Sequence, residues 1–147
     1  MVLKLFKGLW FVSVLIVLAN LLYVYASLPE EVVIQQEGVD RVLANRELLF
    51  YVMTLLLVLT NALVYVMRKF HEQDQNFRAW FHGLIITMNI FFVLGMNVIQ
   101  VYNSAEKFDF SRIGFIVYAS VALVICWAAT WPIYSIFRRL VAKQVIS

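Results

Sequence analysis

The chain has 147 residues, of which 63% are hydrophobic and 14% charged, with a formal net charge of +3, whereas an ordinary soluble domain is roughly 45–50% apolar and about 25% charged. A mean hydropathy of +0.84 is more apolar surface than a core of this size can hide, which excludes a soluble monomer. The charges fall outside four apolar stretches, 8–28, 48–67, 79–102 and 113–137, each long enough to cross a bilayer.

The pattern predicts an all-α membrane protein, a four-transmembrane-helix bundle forming a single membrane domain over 1–147, with helices over about 5–28, 48–67, 79–102 and 113–137. Helix one is led by Lys4 and Lys7. Val24-Tyr25-Ala26 would suit a leader-peptide cleavage site, but ~21 apolar residues exceed a typical signal core, so a retained membrane helix is expected. The exterior loop over 29–47 carries Glu30, Glu31, Glu37, Asp40 and Glu47 against Arg41 and Arg46, a net charge of −3. Two short apolar runs flank Gly38 in this loop and suggest a hairpin lying on the membrane surface, with a solvated loop as the plainer alternative. Asn45 has the right chemistry to cap helix two, and Asp109 or Ser111 to cap helix four.

Helix three begins with Trp80-Phe81-His82, expected to anchor in the headgroup region like Trp10-Phe11 of helix one, with His82 a snorkelling interfacial ring. Asn20, Val24, Tyr25 and Ser27 recur at the same spacing as Asn97, Val101, Tyr102 and Ser104. Such a repeat would make the bundle two tandem helical hairpins related by an axis along the membrane normal. On helix four, Ala119, Ala122, Cys126 and Ala129 form a smooth face that lets another helix approach, whether inside the bundle or from a partner. A neighbouring face carries Ser120, Trp127, Trp131 and Tyr134, and Pro132 lacks the N–H that would bond the carbonyl of Ala128, so a kink is expected there.

Residues seven apart on a helix lie within about 20° of one another. Ser13, Asn20 and Ser27 therefore share a stripe on helix one, Glu47, Thr54, Asn61 and Tyr65 on helix two, and His82, Asn89 and Gln100 on helix three, with Asn97 to one side. An unpaired amide in hydrocarbon costs several kcal/mol, so the stripes must meet one another, water or a ligand. Depth counting pairs Asn61 with Asn89 in one layer and Asn20 with Asn97 in another. The polar seam of Asn20, Asn61, Asn89, Asn97 and Gln100 thus reads either as helix packing or as the lining of a pore.

The four stretches hold no Asp, Glu, Lys or Arg, which disfavours ion-coupled transport. A lone Cys126 cannot form an intrachain disulfide or serve a thiol relay, and His71 and His82 are too few for a two-haem cytochrome. No phosphate-binding glycine loop, protease triad or metal-ligand cluster is present in the sequence. Accordingly no catalytic, cofactor-binding or metal residues are assigned, and no cofactor is expected. Lys4, Lys7, Arg68, Lys69, Arg78, Arg138, Arg139 and Lys143 would lie on one side, against Arg41, Arg46, Lys107 and Arg112 on the other. That bias predicts both termini in the cytoplasm, and it accounts for the net charge without nucleic-acid binding.

Through the connecting stretch Asn103-Ser104-Ala105-Glu106-Lys107-Phe108-Asp109-Phe110-Ser111-Arg112-Ile113-Gly114 and through Trp131-Pro132-Ile133-Tyr134, the chain resembles an uncharacterised bacterial family of small four-helix inner-membrane proteins. The resemblance implies a bacterial inner-membrane location and brings no catalytic residues with it. Leu28-Pro29-Glu30-Glu31-Val32 is similar to the loop after the first helix of small immunity and signalling membrane proteins, although the Pro and His-Phe that usually follow are lacking.

The function expected from these features is a non-catalytic accessory or scaffolding subunit of an inner-membrane assembly. Its partners would be membrane lipid and other membrane-protein subunits or a second copy, met through Ala119, Ala122, Cys126 and Ala129 and through the acidic loop residues Glu30, Glu31, Glu37 and Asp40. The alternative is a small channel or carrier for a neutral molecule lined by the Asn and Gln seam. An enzyme using acids and bases in the loops stands behind both.

Overall fold

Among the described residues four helices form, each long and apolar enough to cross a membrane, and they pack together with a small β-hairpin at one end. The computed structural model describes residues 1–37, 40–103 and 110–146. In chain order these are α1 (Val2–Ser27), β1 (Glu31–Glu37), β2 (Asp40–Asn45), α2 (Arg46–Phe70), α3 (Gln75–Tyr102) and α4 (Phe110–Ile146).

The helix ends have local causes. The side chain of Asn45 accepts from the backbone N–H of Glu47 at 2.8 Å and of Leu48 at 3.4 Å, capping α2 as the sequence suggests. Glu47 in the first turn of α2 and Arg68 and Lys69 in the last complement the helix dipole. Asp74 caps α3 by accepting from the N–H of Phe77 at 3.0 Å, so that helix starts four residues before the apolar stretch does. On α4, Ser111 lies inside the first turn rather than at a cap, and Asp109 lies outside the described residues. α4 continues without a break through Pro132 and past Arg138, Arg139 and Lys143 to Ile146.

α3 is the hub. It packs on α1, α2 and α4, while α1 and α2 meet only weakly and α4 is seated chiefly on α3. The two halves are therefore not equivalent hairpins, because α3 and α4 pack closely where α1 and α2 do not. One apolar cluster joins Val17, Leu21 and Val24 of α1 to Leu57, Phe92 and Met96 and runs up to Val32 of β1. A second, at the α2–α3 turn, joins Val64, Phe81 and Ile85 with Trp10 and Trp80 beside it. In lipid such clusters gain from close packing rather than from leaving water.

The connection between α1 and α2 holds a hairpin rather than a purely solvated loop. β1 and β2 run antiparallel, with Glu31 opposite Asn45 and Glu37 opposite Asp40 and an irregularity between Val33 and Gln35. A two-stranded hairpin is marginal alone, and here α3 holds it. Asn103, at the C-terminal end of α3, accepts from the N–H of Val33 at 2.7 Å and donates to the Val33 carbonyl at 3.0 Å. Its amide thus pairs with β1 as a neighbouring strand would. Val32 beside it is fully buried, and the Arg46 N–H closes the base by donating to the Glu30 carbonyl at 2.9 Å.

Candidate functional site

Three helices contribute to one polar centre. Asn61 Nδ2 donates to Asn89 Oδ1 and Asn89 Nδ2 donates back to Asn61 Oδ1, each at 3.0 Å. The second N–H of Asn61 reaches the Leu57 carbonyl at 2.9 Å, and that of Asn89 reaches Ser13 Oγ of α1 at 3.0 Å. Trp10 Nε1 donates to Asn61 Oδ1 at 3.0 Å, and Ser13 Oγ donates to the Trp10 carbonyl at 2.7 Å. Each amide can offer two hydrogens, and all four are taken by protein acceptors. Asn89 is only 1% exposed. The amides therefore lock α1, α2 and α3 to one another and leave no donor for a passing molecule.

The rest of the polar stripe does not join this centre. Gln100 Nε2 donates to Ser27 Oγ at 2.9 Å, a separate clasp between α3 and α1 towards the hairpin end. Asn20 and Asn97 are not hydrogen-bonded to each other, and the buried Nδ2 of Asn20 has no hydrogen-bond partner. Thr54 is satisfied by its own helix, donating to the Phe50 carbonyl at 2.7 Å, and Glu47 and Tyr65 are exposed.

α4 binds α3 through its aromatic and polar face. Trp80 Nε1 donates to the Trp127 carbonyl and Trp127 Nε1 to the Trp80 carbonyl, both at 3.0 Å, and Thr130 Oγ1 lies 3.1 Å from Trp80 Nε1. The Trp127 ring lies against Gly83, where a Cβ would run into the indole. Ser120 is buried on the same face, while Ala119, Ala122, Cys126 and Ala129 are exposed. Among the described residues the small face is left open rather than packed. Of the acidic loop residues, Glu30 and Glu31 are exposed, and the side chains of Glu37 and Asp40 lie outside the described residues.

Three tryptophan and histidine positions differ from their sequence reading. Trp10 and Trp80 are not mere headgroup anchors, because each indole N–H finds a partner on another helix. His82 does not snorkel: it is 4% exposed, donates Nδ1–H to the Arg78 carbonyl at 2.6 Å and meets the Trp10 ring edge-on at 5.7 Å. A buried ring N–H needs an acceptor, and its own helix supplies one four residues back. The sequence offered one signal for this, the placement of His82 on the Asn89 stripe.

Among the clefts between the helices, two lie at opposite ends of the bundle. At the hairpin end a shallow apolar cleft is lined by Leu21, Met53 and Met96 among others, and by Arg46. The guanidinium of Arg46 lies 5.0 Å from the centroid of the Tyr25 ring, and one of its nitrogens donates to the Leu28 carbonyl at 3.1 Å. At the α2–α3 turn a second cleft is basic, with Lys7, Arg68 and Arg78 on its walls. Among the described residues no three His, Cys, Asp or Glu side chains come together in a group that could hold a metal ion.

No protein-family model matches the chain, and no curated protein or solved structure is significantly similar to it. The likeness drawn from residues 103–114 and 131–134 thus identifies no family. The chain is a small multi-pass membrane protein of four long apolar helices.

Proposed function

We propose that this protein is a non-catalytic accessory or scaffolding subunit of a larger assembly in a bacterial inner membrane, with both termini in the cytoplasm. The observation that carries the reading is the closed Asn61–Asn89 centre, whose amide donors are all spent on Ser13, Leu57 and each other. A conduit for a neutral molecule needs unspent donors or acceptors along its wall. The Asn61–Asn89 centre spends its amide donors on holding helices together.

α4 supports the docking half of the proposal. It is held by α3 along one face, and Ala119, Ala122, Cys126 and Ala129 remain open on another. A smooth face of small residues lets a second helix approach closely. The exposed carboxylates Glu30 and Glu31 would supply the extramembrane part of the contact. Location and sidedness rest on the excess of Lys and Arg at the termini and the α2–α3 turn.

The test is purification of the full chain from its native membrane in mild detergent, with the mass of the complex measured and every stoichiometric polypeptide identified. The paired substitution Ala122→Leu and Ala129→Leu should strip the partner while leaving the melting temperature of the isolated protein unchanged. A chain that purifies alone, or whose partner survives that substitution, would overturn the assignment of the α4 face.

A further inference from the structure

The charged groups of the basic cleft at the α2–α3 turn play no part in the apolar packing described above. Lys7 comes from α1, Arg68 from α2 and Arg78 from α3, so three helices bring one cation each to the same opening. All three side chains line this one opening, and like charges so gathered repel one another. Among the described residues, none of the three forms an ion pair with a carboxylate. Arg78 spends one guanidinium nitrogen on the Glu72 carbonyl at 3.3 Å, while its buried Nε has no hydrogen-bond partner. Three like charges gathered without a counter-charge cost free energy unless an anion sits among them.

The surroundings of the cleft narrow the kind of anion. Trp10 and Val64 give it an apolar wall, and the exposed Tyr65 stands edge-on to Trp10 at 6.0 Å. His82 fixes the turn that carries Arg78 through its bond to the Arg78 carbonyl. The cleft, about 470 Å³ including its open mouth, lies between helices long and apolar enough to cross a membrane. Apolar wall below and cations above match an acyl chain joined to a phosphate. Basic pockets between transmembrane helices take anionic headgroups in this way, and arginine suits phosphate because its planar fork can bond two oxygens at once.

We propose that Lys7, Arg68 and Arg78 form a binding site for a phosphate group, supplied by the headgroup of an anionic phospholipid. The site is independent of any protein partner on α4. Binding is reversible and ionic, so it weakens with salt, though less than at an open surface.

The test uses the purified full chain in a neutral detergent, with native mass spectrometry counting bound molecules of dioleoyl phosphatidylglycerol, dioleoyl phosphatidylcholine or inorganic phosphate. Wild type should retain one phosphatidylglycerol at concentrations where phosphatidylcholine is lost. Lys7→Gln with Arg68→Gln should weaken that binding at least tenfold; neither side chain has a hydrogen bond among the described residues, and an unchanged melting temperature checks that the fold does not rely on them. Arg78→Lys should retain more binding than Arg78→Gln. Arg138→Gln with Arg139→Gln, which removes equal charge elsewhere, should leave it unchanged. Equal retention of phosphatidylcholine, or equal loss from both double substitutions, overturns the site. Displacement of the lipid by millimolar inorganic phosphate overturns the lipid as its source.

Discussion

Asn89 shows how one side chain sets the register of three helices. Its amide touches Ser13 on α1 and Asn61 on α2 from its own place on α3, so a slip of any of these helices breaks bonds on the other two. Interhelical hydrogen bonds in membranes average about 0.6 kcal/mol and reach about 1.7. Removing one partner costs more than that average because the other is left buried and unpaired, on the order of 1–3 kcal/mol. Asn89→Leu should therefore destabilise the bundle by about that amount, measured by unfolding in mixed detergent micelles. Adding Asn61→Leu should cost less than the two single losses combined, since the double variant leaves neither amide stranded. Strict additivity would mean that the pair is not coupled. The sequence carried the Asn61–Asn89 meeting in its spacing, since both lie on heptad stripes at similar depth. It did not carry the role of Trp10, because an indole near a helix end satisfies the rule for headgroup anchoring equally well. In the fold its N–H instead reaches Asn61 on α2.

At the scale of elements, α3 is the helix on which the others are assembled, and the reason is its small and polar residues. Gly83 admits the Trp127 ring, which in turn lets Trp80 and Trp127 exchange N–H bonds with each other's carbonyls. Gly83→Val should force the indole away and loosen α4 from α3. Spin labels on the native, exposed Cys126 and on Ile90→Cys would report it. The expected outcome is a broader and longer distance distribution, with helix content retained; an unchanged distribution would show that the ring finds room without losing the contact. Helix number and approximate position were legible because an apolar run of twenty residues has few other uses. The ends were less so. α3 starts early because Asp74 caps it, in a polar turn that hydropathy passes over. α4 runs on because Arg138, Arg139 and Lys143 are good helix formers with nothing to stop them. The β-runs about Gly38 were legible, but their anchorage was not: Asn103 lies seventy residues from Val33, and no local pattern links them.

The whole molecule is polarised along the membrane normal. One end gathers Lys7, Arg68 and Arg78, with the Trp80 and Trp127 contact nearby; the other carries the hairpin and the exposed Glu30 and Glu31. α4, with 37 residues, is about 55 Å long at ~1.5 Å per residue, against roughly 40–45 Å for a bilayer with its headgroups. At the usual tilt of about 20° it still exceeds that thickness, and the end bearing Arg138, Arg139 and Lys143 is the one expected to stand clear of the lipid, because its charges favour water. Positive charge flanking a span is retained on the cytoplasmic side, and the three basic groups of residues at Lys4–Lys7, Arg68–Arg78 and Arg138–Lys143 act in the same sense. The sequence alone carries this argument, because sidedness is set by charge during insertion and not by packing. Gln73, exposed in the turn between α2 and α3, and Gln36, on β1, sit at opposite ends of the bundle. In a Cys126→Ala background, which removes the one native thiol, Gln73→Cys should react with a membrane-impermeant maleimide only in inside-out vesicles. Gln36→Cys should react only in right-side-out ones. The reverse pattern would put the termini outside and move the proposed phosphate site to the other leaflet, while reaction of both from both sides would contradict a single orientation.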